Sequence, residues 1–323
     1  MQKNEIFNID FLPIRQKKLF FYNQYFKLFI KLYKNNLLPN KILLTGQSGL
    51  GKSTFAYHFI NSILSDKENC SYDFINFTIN PLNRSFRLIK QQYHPNFYLI
   101  ENFIDKRTIN ITQVKNMISY VNKTSYERKI KFILIDNAEY LNLHSVNALL
   151  KIIEEPPSNT FIIFIHNSSI KFIETLKSRC IEFKIFFSNQ EKQKILDNLL
   201  IYYDLKIDLN FLEKIKSFYD SPGTILNLIK LINEGVIDTN KTDLINVISN
   251  LMEFNLKNKS NINLNLLQNI IELFFFNEIK KNINKNKISL NYSNVLKRLN
   301  FFRTYNLDMN NTFYEIKENI VHG

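Results

Sequence analysis

Apolar and polar positions fall into two regimes along the chain. Up to about residue 186, short continuous apolar runs alternate with stretches of helical spacing; past Ser188 only the helical spacing persists. The runs are Ile42-Leu43-Leu44, Phe97 to Ile100, Phe132 to Ile135, Phe161 to Ile165 and Ile181 to Ile185. The first four are apolar throughout and too short for a helix, which predicts strands covered on both faces, and Ile181 to Ile185, with Glu182 and Lys184 alternating, is expected to be a last short strand. Between them, helices are expected over Leu19 to Leu32, from Phe55 onward, from Ile111 through TQVKNMISYVNK, over 142–154, and from Ile170. Strand-helix alternation of this kind builds a parallel sheet with helices on both sides. Residues 64–92 are polar and irregular, with a basic segment from Arg84 to Lys90.

Beyond Ser188 three helices are expected, Asn189 to Tyr203, Leu209 to Tyr219 and Gly223 to Asn233, with Asp220-Ser221-Pro222-Gly223 as the break before the third. The remainder, from Thr239 to about Asn319, is helical by pattern. Its aromatic-rich stretch Asn269 to Phe276 is expected to be a buried helix, since no apolar run reaches the roughly 18 residues of a membrane span. The expected organisation is an α/β domain at 1–186, three helices at 187–236, and an all-α domain at 237–323. No internal repeat is visible.

One stretch changes this from a fold class into a chemistry. Between the first strand and the helix that follows lies Gly46-Gln47-Ser48-Gly49-Leu50-Gly51-Lys52-Ser53, which fits the spacing G-x-x-x-x-G-K-[ST]. Three of the six glycines of the chain fall here. Gly46, Gly49 and Gly51 allow backbone N–H groups to turn inward around phosphate oxygens, and the helix beginning at Lys52, Ser53 and Thr54 adds the positive end of its dipole. Lys52 reaches β and γ phosphates in such a loop and the Ser53 hydroxyl holds Mg²⁺. Asp136 closes the strand Lys131 to Ile135 at the carboxyl edge, where an open α/β sheet binds ligands. An aspartate there completes Mg²⁺ binding, so ATP with Mg²⁺ is the expected ligand.

Composition narrows the setting. Of 323 residues, 45% are hydrophobic and 22% charged, which excludes a disordered chain. The start, MQKNEIFNID, has no apolar signal core, so a cytoplasmic protein without a membrane partner is expected. Two cysteines, Cys70 and Cys180, are too few for a disulfide framework or a four-thiolate zinc site. The net charge of +13 suits contact with nucleic acid, yet lysine spread through an Asn-, Lys- and Ile-rich chain equally reflects compositional bias.

Taken in order, the motifs GQSGLGKS, HPNFYLIE, ITQVKNMISYV, FILIDNAEYLNLHSVNALLKIIEEPPSNTFIIFI and LKSRC resemble those of the bacterial clamp-loader AAA+ proteins of DNA polymerase III. The likeness is clear over 39–186, fair through 235 and nearly absent beyond. It implies an AAA+ P-loop NTPase core, a three-helix lid and a helical collar domain. It also implies a ring with tau/gamma and delta subunits that places a sliding clamp on primed DNA. Arg179, in Ser178-Arg179-Cys180, resembles an arginine finger offered to the ATP of a neighbouring subunit. Asn167, after the fourth strand, stands where the family has its γ-phosphate sensor, beside His166.

Three departures matter. Asn137 follows Asp136 where the motor subunit tau/gamma has a glutamate base, and an amide cannot act as base. Ser221-Pro222-Gly223-Thr224 lacks the lid arginine, and Cys70 stands alone where many members bind zinc. The first two imply a subunit other than the motor, with weak or no hydrolysis of its own. Glu139, three residues past Asp136, is expected to cap a helix start or face solvent. A motor-like ATPase and a scaffold with a vestigial pocket are the alternatives.

Overall fold

The computed structural model describes residues 11–102, 108–122, 130–157, 159–205, 221–233, 244–258, 264–281, 285–305 and 307–321. The chain divides into two compact units, Asp10–Asp204 with Ser221–Gly223, and a second that takes Thr224–Gly323.

The first unit is built on five parallel strands, β1 (Lys41–Gly46), β2 (Phe97–Ile100), β3 (Lys131–Ile135), β4 (Thr160–Asn167) and β5 (Ile181–Lys184). Their order in the sheet is β2-β3-β4-β1-β5. Register runs Ile42 opposite Ile163 and Ile181, and Ile133 opposite Ile162 and Tyr98. The helices of this unit are α1 (Asn23–Lys34), α2 (Lys52–Leu64), α3 (Arg84–Lys90), α4 (Ile111–Asn122), α5 (Leu143–Glu154), the single turn α6 (Glu174–Lys177) and α7 (Asn189–Tyr202). This is the expected α/β fold with a parallel sheet.

The continuous apolar runs follow from burial on both faces. Ile42, Leu44, Phe132, Leu134, Ile163 and Ile165 join one core with Phe26, Phe29, Phe55 and Phe59 of α1 and α2. Their neighbours Leu43, Ile133, Ile135, Ile162 and Phe164 join a second core with Val114 and Met117 of α4 and Leu149 and Ile153 of α5. Side chains alternate across a strand, so every other residue serves each face. Each of these wholly buried side chains contributes about 1.5–3 kcal/mol.

Three elements differ from the sequence expectation. α1 starts at Asn23 because Phe21 takes a left-handed φ of 62° and Lys18 bridges Thr78. α3 forms inside the polar stretch because its N-terminus is capped twice. Asn83 Oδ1 accepts the Phe86 N–H at 2.6 Å, and the Glu68 carboxylate accepts those of Arg84 and Ser85 at 2.8 and 3.0 Å. The helix expected from Ile170 is reduced to α6, because His166 Nε2 bonds the Ile170 carbonyl at 2.9 Å and holds the segment in a turn.

α8 (Pro222–Asn233) occupies the position expected of the third lid helix, while the expected Leu209 to Tyr219 helix lies outside the described residues. In the second unit, α9 (Leu244–Asn258), α10 (Leu264–Lys281), α11 (Lys285–Tyr305) and α12 (Met309–Val321) pack with Leu251, Leu267, Ile271, Val295, Leu299, Phe302 and Ile316 inside. Ile270, Ile271, Leu273 and Phe275 of the aromatic-rich stretch are buried. Among the described residues, no helix is long and apolar enough to cross a membrane.

Candidate nucleotide-binding site

The loop from Gly46 to Lys52 joins the carboxyl end of β1 to the first turn of α2. At Gly46 a Cβ would stand 2.5 Å from the Ile185 carbonyl oxygen, so the loop leaves the sheet only with a hydrogen there. Gly51 caps α2 in the left-handed region, φ 89°. The turn rests on an aromatic floor. Tyr22 stacks on Phe55 at 5.0 Å between ring centres and donates its phenolic hydrogen to the Leu50 carbonyl at 3.0 Å. Lys52 is buried and its Nζ donates to the Gly46 and Gln47 carbonyls at 2.8 and 2.7 Å. Burial lowers its pKa to about 8, against the pull of Glu139 and Asp136. Thr54 follows in the same turn, half-buried.

β3 delivers the acid. Two strands away from β2 across the sheet lies β4, and β3 between them carries Asp136 to the same edge as the loop. Asp136 is buried, and its Oδ1 accepts the Ser53 hydroxyl and the Asn137 N–H, both at 2.9 Å. Desolvation raises its pKa, with those two bonds and the Lys52 charge opposing. Two further carboxylates stand in its field. Glu101, after β2, is raised by burial and by Asp136; Glu139 is raised chiefly by burial, with Asp136 adding to it.

The position of Glu139 corrects the sequence expectation. Asn137 takes a left-handed φ of 53° and starts a 3₁₀ turn, Ala138–Tyr140, that folds back toward the loop. Glu139 Oε2 therefore accepts the Asn167 N–H at 3.2 Å and senses Lys52, instead of facing solvent. Asn167 ends β4 beside Gly46, and its Oδ1 accepts the Ser169 N–H at 3.1 Å. His166, next to it, is buried and its pKa is lowered by desolvation.

These residues fit a phosphate chain with Mg²⁺. One ammonium lies inside a glycine turn at a helix N-terminus, and a hydroxyl paired with a buried carboxylate stands beside it. Burial raises the pKa values of these carboxyl groups, and a divalent cation would favour their charged forms. Among the described residues, no group of three or more His, Cys, Asp or Glu could hold a metal ion.

Arg179 is apart from this cluster. It follows α6 on the surface, where its Nε and Nη2 lie 3.1 and 2.9 Å from Glu154 Oε1 and its Nη1 donates to the Thr175 carbonyl at 2.9 Å. Glu101 and Lys192, whose Nζ lies 3.1 Å from Gln47 Oε1 of the loop, are not distinguished as site residues by the sequence. Glu101 was signalled only by its place after a strand, whereas Lys192 lies in a charged helix that resembles a solvated face. Gly223 also meets the loop, its N–H donating to the Gly49 carbonyl at 2.9 Å.

The chain is similar to known subunits of DNA polymerase III. A family model described as "DNA polymerase III, delta subunit" matches residues 22–188. The chain is 26% identical over 242 residues to "DNA polymerase III subunit delta'" of Buchnera aphidicola subsp. Baizongia pistaciae, covering 68% of this chain and 70% of that protein. It is 27% identical over 140 residues to the protein of the same name from Pseudomonas aeruginosa, covering 43% of this chain and 41% of that protein's length. Against "DNA polymerase III subunit gamma" of Buchnera aphidicola subsp. Acyrthosiphon pisum identity is 30% over 197 residues, covering 60% and 51% of the two chains. A DNA polymerase III gamma subunit-related protein from Thermotoga maritima aligns in structure with a TM-score of 0.49 at 15% identity, covering 91% of this chain and 98% of that one.

Proposed function

The chain belongs to the DNA polymerase III, delta subunit family, and on that premise we propose that it is the delta-prime subunit of a clamp loader. It binds ATP with Mg²⁺ and completes the nucleotide site of an adjacent tau/gamma subunit. With delta and tau/gamma it serves to place a sliding clamp on primed DNA. The observation that carries the reading is the convergence of Lys52, Ser53 and Asp136 at the carboxyl edge of the sheet, with Ser53 Oγ 2.9 Å from Asp136 Oδ1.

In this reading Gly46, Gly49 and Gly51 give the loop its turn, and its backbone N–H groups hold phosphate oxygens. Lys52 exchanges its two carbonyl partners for phosphate, and Ser53 with Asp136 binds Mg²⁺. Mg²⁺ supplies charge neutralisation between phosphate oxygens when bound. Asn167 orients near the terminal phosphate, and Thr54 lies against the nucleotide from the first turn of α2. Arg179, exposed on its own chain, presents an always-charged planar guanidinium to the partner's triphosphate.

A second reading is favoured by Glu139. Its carboxylate faces Lys52 and has a raised pKa, as a general base needs, so this chain would hydrolyse ATP itself despite Asn137.

Equilibrium titration with a fluorescent ATP analogue and Mg²⁺ tests the binding claim: Lys52→Ala abolishes binding, and unchanged affinity would refute it. Turnover by the isolated chain separates the two readings. Negligible hydrolysis supports the partner role, while robust hydrolysis lost in Glu139→Gln establishes the motor-like one.

A further inference from the structure

The phosphate loop is approached by a second buried cation, from a helix that forms no part of the loop motif. Lys192 lies in the first turn of α7, whose start is fixed by a capping box between Ser188 and Glu191. The residue is 8% exposed and its Nζ lies 3.1 Å from Gln47 Oε1. Both features run against the usual behaviour of lysine. A buried ammonium is rare, and a cation in the first turn of a helix opposes the dipole. A side chain that only decorated the surface would point to water.

Gln47 links this cation to the loop. Its backbone carbonyl accepts from Lys52 Nζ at 2.7 Å, and its side-chain oxygen from Lys192 Nζ. Two ammonium groups thus bracket one residue at the opening of the loop. Lys52 in such a loop serves the β and γ phosphates, whereas the α and β phosphates lie along the backbone N–H groups. Lys192 thus shares Gln47 with Lys52, the lysine that serves the terminal phosphates in such a loop.

Resting on the phosphate-loop reading above, we propose that Lys192 is a phosphate-contacting residue that makes the site select nucleoside triphosphates over diphosphates. Its ammonium moves from Gln47 Oε1 to the terminal phosphate, an ion–amide bond giving way to an ion pair.

The test is equilibrium titration of the full chain with ATP and ADP in Mg²⁺, for the wild type, Lys192→Gln and Lys192→Arg, with circular dichroism melts as a check on folding. Lys192→Gln weakens ATP on the order of tenfold, the usual effect of losing one charge-assisted bond. ADP changes less than about threefold, and Lys192→Arg keeps the preference, since the charge is retained. Equal loss for ATP and ADP, or no loss for either, would overturn the proposal and leave Lys192 as a packing residue. A wild-type chain that binds neither nucleotide overturns the phosphate-loop reading and this inference with it.

Discussion

Arg179 Nη2 lies 2.9 Å from Glu154 Oε1, and the same oxygen receives Arg179 Nε at 3.1 Å. The guanidinium is thus held on the outside of its own domain by the glutamate that ends α5, with the Thr175 carbonyl as a third anchor. A cation kept at the surface in a fixed orientation is available to another molecule.

The first prediction concerns this pair. Both side chains are partly open to solvent, 37% for Arg179 and 54% for Glu154, so breaking the pair costs the fold about 1 kcal/mol or less. Arg179→Ala should therefore leave the melting temperature nearly unchanged. In a reconstituted clamp loader it should lower hydrolysis at the served site on the order of 10³-fold or more. DNA-stimulated ATPase rates equal to wild type would reduce Arg179 to a surface residue.

Gly46→Ala tests the loop's exit from the sheet. A methyl group there meets the Ile185 carbonyl at 2.5 Å, and backbone rather than a flexible side chain must give way. The expected loss of stability is about 1–3 kcal/mol, read as a lower urea midpoint. Nucleotide affinity should fall as well. A variant as stable as wild type would mean that Ile185 shifts freely.

Nucleotide affinity should also depend on pH through Lys52. Its pKa is lowered to about 8, so the free chain loses this proton as pH rises past that value. A phosphate ligand that needs the ammonium must restore the proton. Affinity then falls by up to about tenfold per pH unit above 8. In Lys52→Arg, charged throughout, the profile flattens. Titrations from pH 6.5 to 9.5 decide it; a flat wild-type profile would contradict the shift.

Two buried imidazoles make the fold sensitive to acid. His58 Nε2 lies 3.2 Å from the Gln16 carbonyl, which can only accept, so Nε2 carries the hydrogen and Nδ1 receives that of Tyr72 at 3.0 Å. His94 holds the Asn96 N–H on Nδ1 and meets Ser85 Oγ through Nε2. Desolvation lowers their pKa values to about 3 and about 4. The unfolded chain takes up both protons below about pH 6.5 while the folded chain does not. Stability is thus full above that pH and lost as pH falls below it, by up to about 1.4 kcal/mol per pH unit for each imidazole. Urea midpoints at pH 7.5 and 5.0 measure this, and equal values would rule it out.

The sheet was legible in the chain because runs such as Phe132 to Ile135 have no polar position to spare, and the loop because its residue types are dictated by phosphate. Asp136 followed from both. Glu139 did not, since its direction depends on the left-handed Asn137, and although Asn enters that region more readily than most residues, nothing local says which of the many Asn does so. Lys192 was hidden for a related reason: within Asn189-Gln190-Glu191-Lys192 nothing local distinguishes a lysine that faces inward. The cap of α3 by Glu68 was equally out of reach, because it joins residues sixteen positions apart.

The Tyr22 hydroxyl on the Leu50 carbonyl separates a signature from a working cradle. A fragment beginning at Lys41 would contain every position of the phosphate-binding pattern, and Phe55 with it, yet would lack the phenol that stacks on that ring and holds the loop from below. Any effort to transplant this loop, or to trim the chain to its recognisable part, must carry the preceding helix as a foundation.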